Sequence, residues 1–272
     1  MGFERRLSDL DTGKDHPSSG KLSIFELKGR VAEAFPWQPK LLDAGECALV
    51  AEFGRTIDPE INDRVLALDQ AITEAELAGV QELMPTYRSL MIHYDPMIIS
   101  RSELASCVLQ LSSIPRVRTA SRKWVFPACY DPSLALDLED VAWSLSISQS
   151  RIIALHASTT YRIYWHGFAP GLPALGGLPA ELRLPRMMTP RQMVEEGSLI
   201  IAAGQASIAS VNMPCGWHVL GRTPERLFVL DRKPSVLTHT GDEMIFDPIE
   251  IHEFERLRQR AFDGEPIARV VT

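Results

Sequence analysis

From Glu46 to Phe53 the apolar residues alternate, with Cys47, Leu49, Ala51 and Phe53 on one side, which is the period of a half-buried β-strand. The period then changes. Asp58-Pro59 offers an N-cap followed by proline at the first helical position, and Ile61, Val65, Leu68 and Ile72 mark a helical stripe. Val80 to Met84 reads as a second strand closed by Pro85, and Ser89 to Tyr94 as a third, with Leu90, Ile92 and Tyr94 on one face. Ser100 and Glu103 have the spacing of a capping box ahead of Leu104, Val108 and Leu111. A last strand from about Pro115 to Phe126 completes the order β-α-β-β-α-β, that of a ferredoxin-like unit.

After Tyr130 the texture shifts. Asp137 to Leu145 and Ser148 to His156 have helical patterns, and Tyr161 to Trp165 alternates like a strand. From Gly167 onward, glycine and proline punctuate short apolar runs at Leu199 to Ala202, Trp217 to Leu220, Leu227 to Leu230 and Met244 to Phe246. Many short strands between turn signals predict a β-barrel or sandwich. Ile251 to Phe262 reads as a closing helix with a loose tail after Asp263. The expected division is an extension over 1–40, a first domain over 41–125, a barrel domain over 126–250, and a helix and tail over 251–272.

Composition narrows the function classes. A net charge of -7 argues against a nucleic-acid partner, which requires an excess of Lys and Arg. Cys47, Cys107, Cys129 and Cys215 are widely spaced and the histidines scattered, so neither a disulfide framework nor a metal site is expected. The first thirty residues lack an apolar core, and no stretch approaches the roughly 18 apolar residues of a membrane helix; a cytoplasmic protein is the expectation.

Motifs for nucleotide binding, for a nucleophile elbow and for zinc hydrolysis are missing from the sequence. What remains is a density of unusual backbone between 166 and 224: His166-Gly167-Phe168-Ala169-Pro170-Gly171-Leu172-Pro173, Pro190-Arg191, Gly197-Ser198, Gly204-Gln205, Pro214-Cys215-Gly216-Trp217 and Gly221-Arg222-Thr223-Pro224. Tight barrel corners account for many of the glycines. Arg191, Gln205 and Arg222 beside them carry planar, multi-donor groups suited to a carboxylate, phosphate or amide. At turns, Arg191 and Gln205 are expected to serve chemistry rather than stability.

These segments, in this order, resemble the allophanate hydrolase subunit 1 family, which includes the B subunit of prokaryotic 5-oxoprolinase and one half of the carboxyltransferase region of urea amidolyase. The likeness covers about residues 41–250, carried by Asp43-Ala44-Gly45-Glu46, by Tyr161 to Pro179 and by the corner ending at Pro224. It implies an α+β chain with an N-terminal ferredoxin-like domain followed by a cyclophilin-like β-barrel domain. It implies a homologous second subunit and a small amide substrate, with ATP used by the complex. Biotin enters only in the alternative of a urea-carboxylase type carboxyl transfer, and a non-catalytic kinase regulator is the third reading.

Carried over residue by residue, the resemblance assigns catalysis to His156, Arg191 and Gln205. The candidate substrate-binding residues are Phe168, Pro170, Gly171, Ser198, Ser207, Trp217, Arg222 and Thr223. His156 is the proposed proton carrier, with capping of helix-end carbonyls as the alternative. The chain departs from the family at Leu172, Ala174, Ala206, Ser207 and Ala209, where aromatics and a threonine are replaced, and an enlarged pocket that turns over 5-oxoproline poorly or not at all is the expected result.

Overall fold

Residues 38–114 and 121–271 are described by the structure, a computed structural model. The first group forms a small unit whose strands β1 (Lys40–Asp43), β2 (Ala48–Glu52), β3 (Val80–Pro85) and β4 (Ser89–Tyr94) make one antiparallel sheet in the order β1-β2-β4-β3. Helices α1 (Pro59–Ala75) and α2 (Arg101–Ser112) cover one face. Both helices start where the sequence says they should. The Asp58 carboxylate accepts from the amides of Glu60 at 2.8 Å and Ile61 at 3.2 Å, and Ser100 and Glu103 form the reciprocal capping box. Leu49, Ala51, Leu90 and Ile92 pack against Val65, Leu68, Ile72, Leu104 and Val108 in a single core.

One expected element lies elsewhere. Residues 115–120 of the predicted last strand fall outside the described residues, and the strand that follows, β5 (Lys123–Ala128), belongs to the second sheet. The sheet edge beside β2 is taken instead by β1, so the β-α-β-β-α-β order gives way to β-β-α-β-β-α. The cause is the flanking pattern of Lys123 to Ala128. Trp124, Phe126 and Ala128 point into the larger core while Val125 is buried on the opposite face, so this strand requires cover on both sides.

The larger unit adds β6 (Tyr161–His166), β7 (Pro173–Gly176), β8 (Arg191–Val194), β9 (Ser198–Ala202), β10 (Gln205–Ile208), β11 (Met213–Cys215), β12 (His218–Arg222), β13 (Glu243–Pro248) and β14 (Arg269–Val271). Eight of the strands form one sheet in the order β12-β9-β10-β7-β6-β13-β5-β14, and β8 pairs with β11. The sheet curls far enough that Cys129, just past β5, exchanges two 2.8 Å backbone bonds with Arg222 at the end of β12. That isolated bridge brings β12 to the chain leaving β5, inside the edge strand β14 and without a continuous ladder, so the expected closed barrel is an open, curled sheet.

Helices α3 (Leu138–Leu145) and α4 (Gln149–Ser158) cover the inner face, where Val141 and Ile152 meet Phe126, Tyr161, Ile163, Leu199, Ile201, Leu220 and Phe246. The β8–β11 pair covers part of the outer face, where Val194, Met213 and Cys215 pack on Ile200 and Val219. Leu199 and Ile201 thus face one core and Ile200 the other, as strand alternation requires. Helix α5 (Ile251–Phe262) falls where predicted. The tail beyond it is not loose: β14 pairs with β5, and the buried Glu225 carboxylate accepts from the amides of Ile267 at 2.6 Å and Ala268 at 2.8 Å while pairing with Arg232.

The two units meet through polar side chains. Asn62 of α1 is fully buried; its amide donates to the carbonyls of Thr86 at 3.0 Å and Tyr164 at 3.3 Å. Its oxygen accepts from the Arg162 guanidinium at 2.9 and 3.1 Å, and Arg162 also pairs with Asp63 at 2.5 Å. Truncating Asn62 strips the Tyr164 and Thr86 carbonyls of this donor and leaves Arg162 with Asp63 alone, and each buried group left unsatisfied costs roughly 1–3 kcal/mol. Asn62→Ala is therefore expected to lower the denaturation midpoint by the equivalent of at least about 2 kcal/mol. A change within about 0.5 kcal/mol, the range of ordinary surface substitutions, would mean that water replaces the side chain at no cost.

Candidate functional site

The residues singled out by sequence fall into separate groups. Ser198, Arg222 and Thr223 come together at one corner, because Arg222 of β12 pairs with Ser198 of β9. The Ser198 hydroxyl donates to the Glu195 carbonyl at 2.7 Å, and the Thr223 amide donates to the Gly197 carbonyl at 2.9 Å. Gly197 has φ +86 and lies so close to Thr223 that a Cβ would meet its carbonyl oxygen at 2.4 Å; only glycine fits. Arg222 donates through Nε to the Glu196 carbonyl at 2.7 Å and pairs through its terminal nitrogen with Glu195. The corner is internally satisfied.

Arg191 and Trp217 lie on and beside the β8–β11 pair. Arg191 grips Asp137 with both terminal nitrogens, one at 2.8 Å, and Asp137, only 1% exposed, also accepts from the Val219 amide at 2.7 Å. The Arg186 guanidinium lies 5.8 Å from the Trp217 ring. Arg191 thus neutralises a buried carboxylate at the start of α3, and the carboxylate in turn raises the arginine's pKa.

His156 is buried in the larger core. Its ring stacks on Phe246 at 4.6 Å, and Nδ1 is 2.8 Å from the Tyr130 hydroxyl. Burial drives its pKa down to about 3, which keeps the imidazole neutral. It neither caps helix-end carbonyls nor faces a cleft; its geometry is that of a packed core residue. Phe168, Pro170 and Gly171 form the connection from β6 to β7, closed by a 3.1 Å bond from the Gly167 amide to the Leu172 carbonyl. Phe168 holds φ +69 and is 82% exposed. The Ser207 hydroxyl is buried and donates to the Pro173 carbonyl at 2.7 Å.

Gln205 stands apart from all of these. It opens β10 opposite Ala202, the far end of β9 from Ser198. Four residues of strand separate the two ends by about 13 Å, so Gln205 and Arg222 cannot hold one small group between them. Gln205 lies instead where the small unit docks, and its side-chain oxygen accepts from the Tyr87 hydroxyl at 2.9 Å. Tyr87 packs against Tyr164 at 5.2 Å and edge-on against Trp165 at 6.2 Å. Burial pushes its pKa up to about 12, so the phenol stays a donor. The Trp165 indole N–H is near enough to the Tyr87 oxygen to counter part of that rise, yet it makes no hydrogen bond of good geometry among the described residues. Arg183 lies over the same turn, its Nε 3.5 Å from where a Gly204 Cβ would stand. The chemistry assembled here is that of amide, indole and guanidinium donors over aromatic walls.

Residues 39–238 match the family described as carboxyltransferase domain, subdomain C and D. The chain belongs to that family. It is 31% identical over 229 residues to the B subunit of 5-oxoprolinase from Bacillus subtilis, a span covering 80% of this chain and 95% of that one. Among solved structures, the protein TTHA0988 is 33% identical with a TM-score of 0.68; the match covers 75% of this chain but only 40% of that longer one. The Kluyveromyces lactis urea carboxylase shares the fold, with a TM-score of 0.71 at 18% identity over 87% of this chain and 24% of that one.

The positions read as departures, Leu172, Ala174, Ala206, Ser207 and Ala209, do not line an open pocket; Ser207 is buried on the Pro173 carbonyl. The other four are buried as well, Leu172 and Ala209 in the outer cluster and Ala206 in the main core. Tyr87, Trp165 and Arg183 were missed because their relevance depends on contacts between units, or across a turn, that sequence spacing does not display. Among the described residues no helix is long and apolar enough to cross a membrane, and no cluster of His, Cys, Asp or Glu could hold a metal.

The Arg191–Asp137 pair reverses the expectation that Arg191 has little to do with stability. Removing one partner of a buried pair strands the other's charge, at a cost of roughly 3–5 kcal/mol. The 29% exposure of Arg191 lets water recover part of this, so Arg191→Ala is expected to lose about 2–3 kcal/mol in chemical denaturation. Unchanged stability with lost activity would return Arg191 to the substrate.

Proposed function

We propose that this chain is the B-type component of a 5-oxoprolinase-like amide hydrolase complex, acting on a small cyclic amide together with a homologous second subunit and inactive by itself. The observation that carries this reading is the likeness to the B subunit of 5-oxoprolinase across 95% of that protein's length. The likeness to urea carboxylase, at 18% identity, supports the fold alone and gives the carboxyl-transfer alternative, with its biotin, no separate support.

A lactam carrying a carboxylate needs a cation for the anion and a donor for the ring carbonyl. Arg183 makes no ion pair among the described residues and lies beside Gly204, so it is the cation available to a carboxylate next to Gln205. The Gln205 amide, its oxygen engaged by Tyr87, offers its N–H groups to the carbonyl. A donor fixed in this way grows stronger as negative charge develops on that oxygen. Tyr164 and Trp165 supply apolar walls.

ATP fits this chain poorly. The sequence has no glycine-rich phosphate loop, and Arg191 and Arg222 are engaged by Asp137 and Glu195. Nucleotide handling is accordingly assigned to another chain of the complex, and this chain's part is to hold and orient the lactam. Co-expression with the homologous second subunit and the remaining subunit, followed by an ATP-dependent assay of 5-oxoproline opening, is the test. The expected result is turnover by the complete complex and none by any subset. A complete complex that hydrolyses neither 5-oxoproline nor other small lactams would overturn the reading.

A further inference from the structure

We infer that Tyr87, a residue of the small unit, is the positioning residue of the substrate-facing amide Gln205, so that the site is built across both units. The inference rests on the preceding reading only in taking Gln205 to face the substrate. Three observations carry the rest.

The first is the direction of the hydrogen bond. Tyr87 Oη lies 2.9 Å from the Gln205 oxygen, and a phenol whose pKa is pushed up to about 12 is a donor at any physiological pH. A glutamine amide has one acceptor end and one donor end. With its oxygen taken, the amide cannot flip without losing that bond, so its N–H groups are turned away from Tyr87 and have no partner among the described residues. An unanchored glutamine on a turn would sample both orientations, and only one of them can donate to a carbonyl.

The second is rigidity. Tyr87 sits in the loop of the β3–β4 hairpin, closed by a 2.8 Å bond from the Thr86 amide to the Ser89 carbonyl. Its neighbour Arg88 is tied to the Gly54 carbonyl at 3.0 Å and to Glu52 at 3.2 Å. The same hairpin end is bonded to Asn62 through the Thr86 carbonyl, which links the placement of Tyr87 to the joint between units. The third is the room made for the aromatic wall. A Cβ at Gly176 would stand 2.3 Å from the Tyr164 ring, and one at Gly167 would stand 2.4 Å from the Trp165 ring. Both rings are seated where a side chain would exclude them, and Tyr87 packs against both.

The ring and the hydroxyl of Tyr87 therefore do separable work, and Tyr87→Phe removes only the second. In the complete complex with 5-oxoproline and ATP, Tyr87→Phe is expected to lower kcat/KM by roughly 10–100-fold, mainly in kcat, with thermal stability nearly unchanged. In the Gln205→Ala background the same substitution should cost nothing further, because the residue it positions is gone. Full activity of Tyr87→Phe, or losses that add to those of Gln205→Ala, would overturn the inference.

A second measurement needs no activity. In the isolated chain, the Gln205 side-chain NH2 resonances, assigned by their loss in Gln205→Ala, should form one sharp pair that collapses toward random-coil shifts in Tyr87→Phe. Resonances identical in the two proteins would show that the hydroxyl fixes nothing. If the wild-type complex is inert toward 5-oxoproline, the functional reading fails, and these resonances alone decide the positioning.

Discussion

Asn62 imposes a constraint that reaches across the whole molecule. An amide buried without partners is costly, and the partners of this one come from two units: the Thr86 carbonyl from its own, the Tyr164 carbonyl and the Arg162 guanidinium from the other. The side chain is fully satisfied only when α1 lies against β6 in one orientation. Apolar contacts alone would tolerate sliding; a directional set of donors and acceptors does not. Once α1 is fixed, the β3–β4 hairpin is fixed through Thr86, and Tyr87 is delivered to Gln205.

The same logic explains why the conspicuous arginines are not free reagents. Asp137 is buried at the head of α3, where it satisfies the Val219 amide, and its charge requires Arg191. Glu225 is buried where it holds the C-terminal strand, and its charge requires Arg232. Asp242, nearly buried, accepts from the Trp124 indole at 2.9 Å and the His239 amide at 2.9 Å and pairs with Arg122; these bonds lower its pKa against the opposing effect of burial. Each is a carboxylate that organises backbone or an indole and is paired with a cation. Near the joint, by contrast, stand the Gln205 amide and Arg183, a guanidinium with no ion pair among the described residues.

Much of the fold was legible because local signals agreed. The Asp58-Pro59 start, the Ser100–Glu103 box, the strand alternation at Leu49, Ala51, Leu90 and Ile92, and the Ile251 to Phe262 helix all express short-range rules that hold within one element. The fate of β5 and β14 was not legible. Both are short strands whose partners lie more than a hundred residues away, and the apolar pattern of Lys123 to Ala128 calls for cover on both faces without naming the segments that supply it. The site was legible as a set of motifs but not as a geometry. Glycine and proline marked where the chain turns around β9, and the family resemblance attached roles to those turns. Which end of β9 each turn occupies, and which arginine already owns a carboxylate, emerge only from the fold. His156 is the clearest instance: the family resemblance and an ordinary pKa near neutrality suggested a proton carrier, while Tyr130, Tyr161 and Phe246 enclose it.

If the Asn62–Arg162–Tyr87 contacts bind the two units into one body, those units should not unfold independently. Differential scanning calorimetry of the isolated chain tests this directly. A single transition whose calorimetric enthalpy equals its van't Hoff enthalpy is the predicted result. Two resolved transitions, or a calorimetric enthalpy about twice the van't Hoff value, would contradict it, showing that the small unit melts without regard to the sheet it docks on.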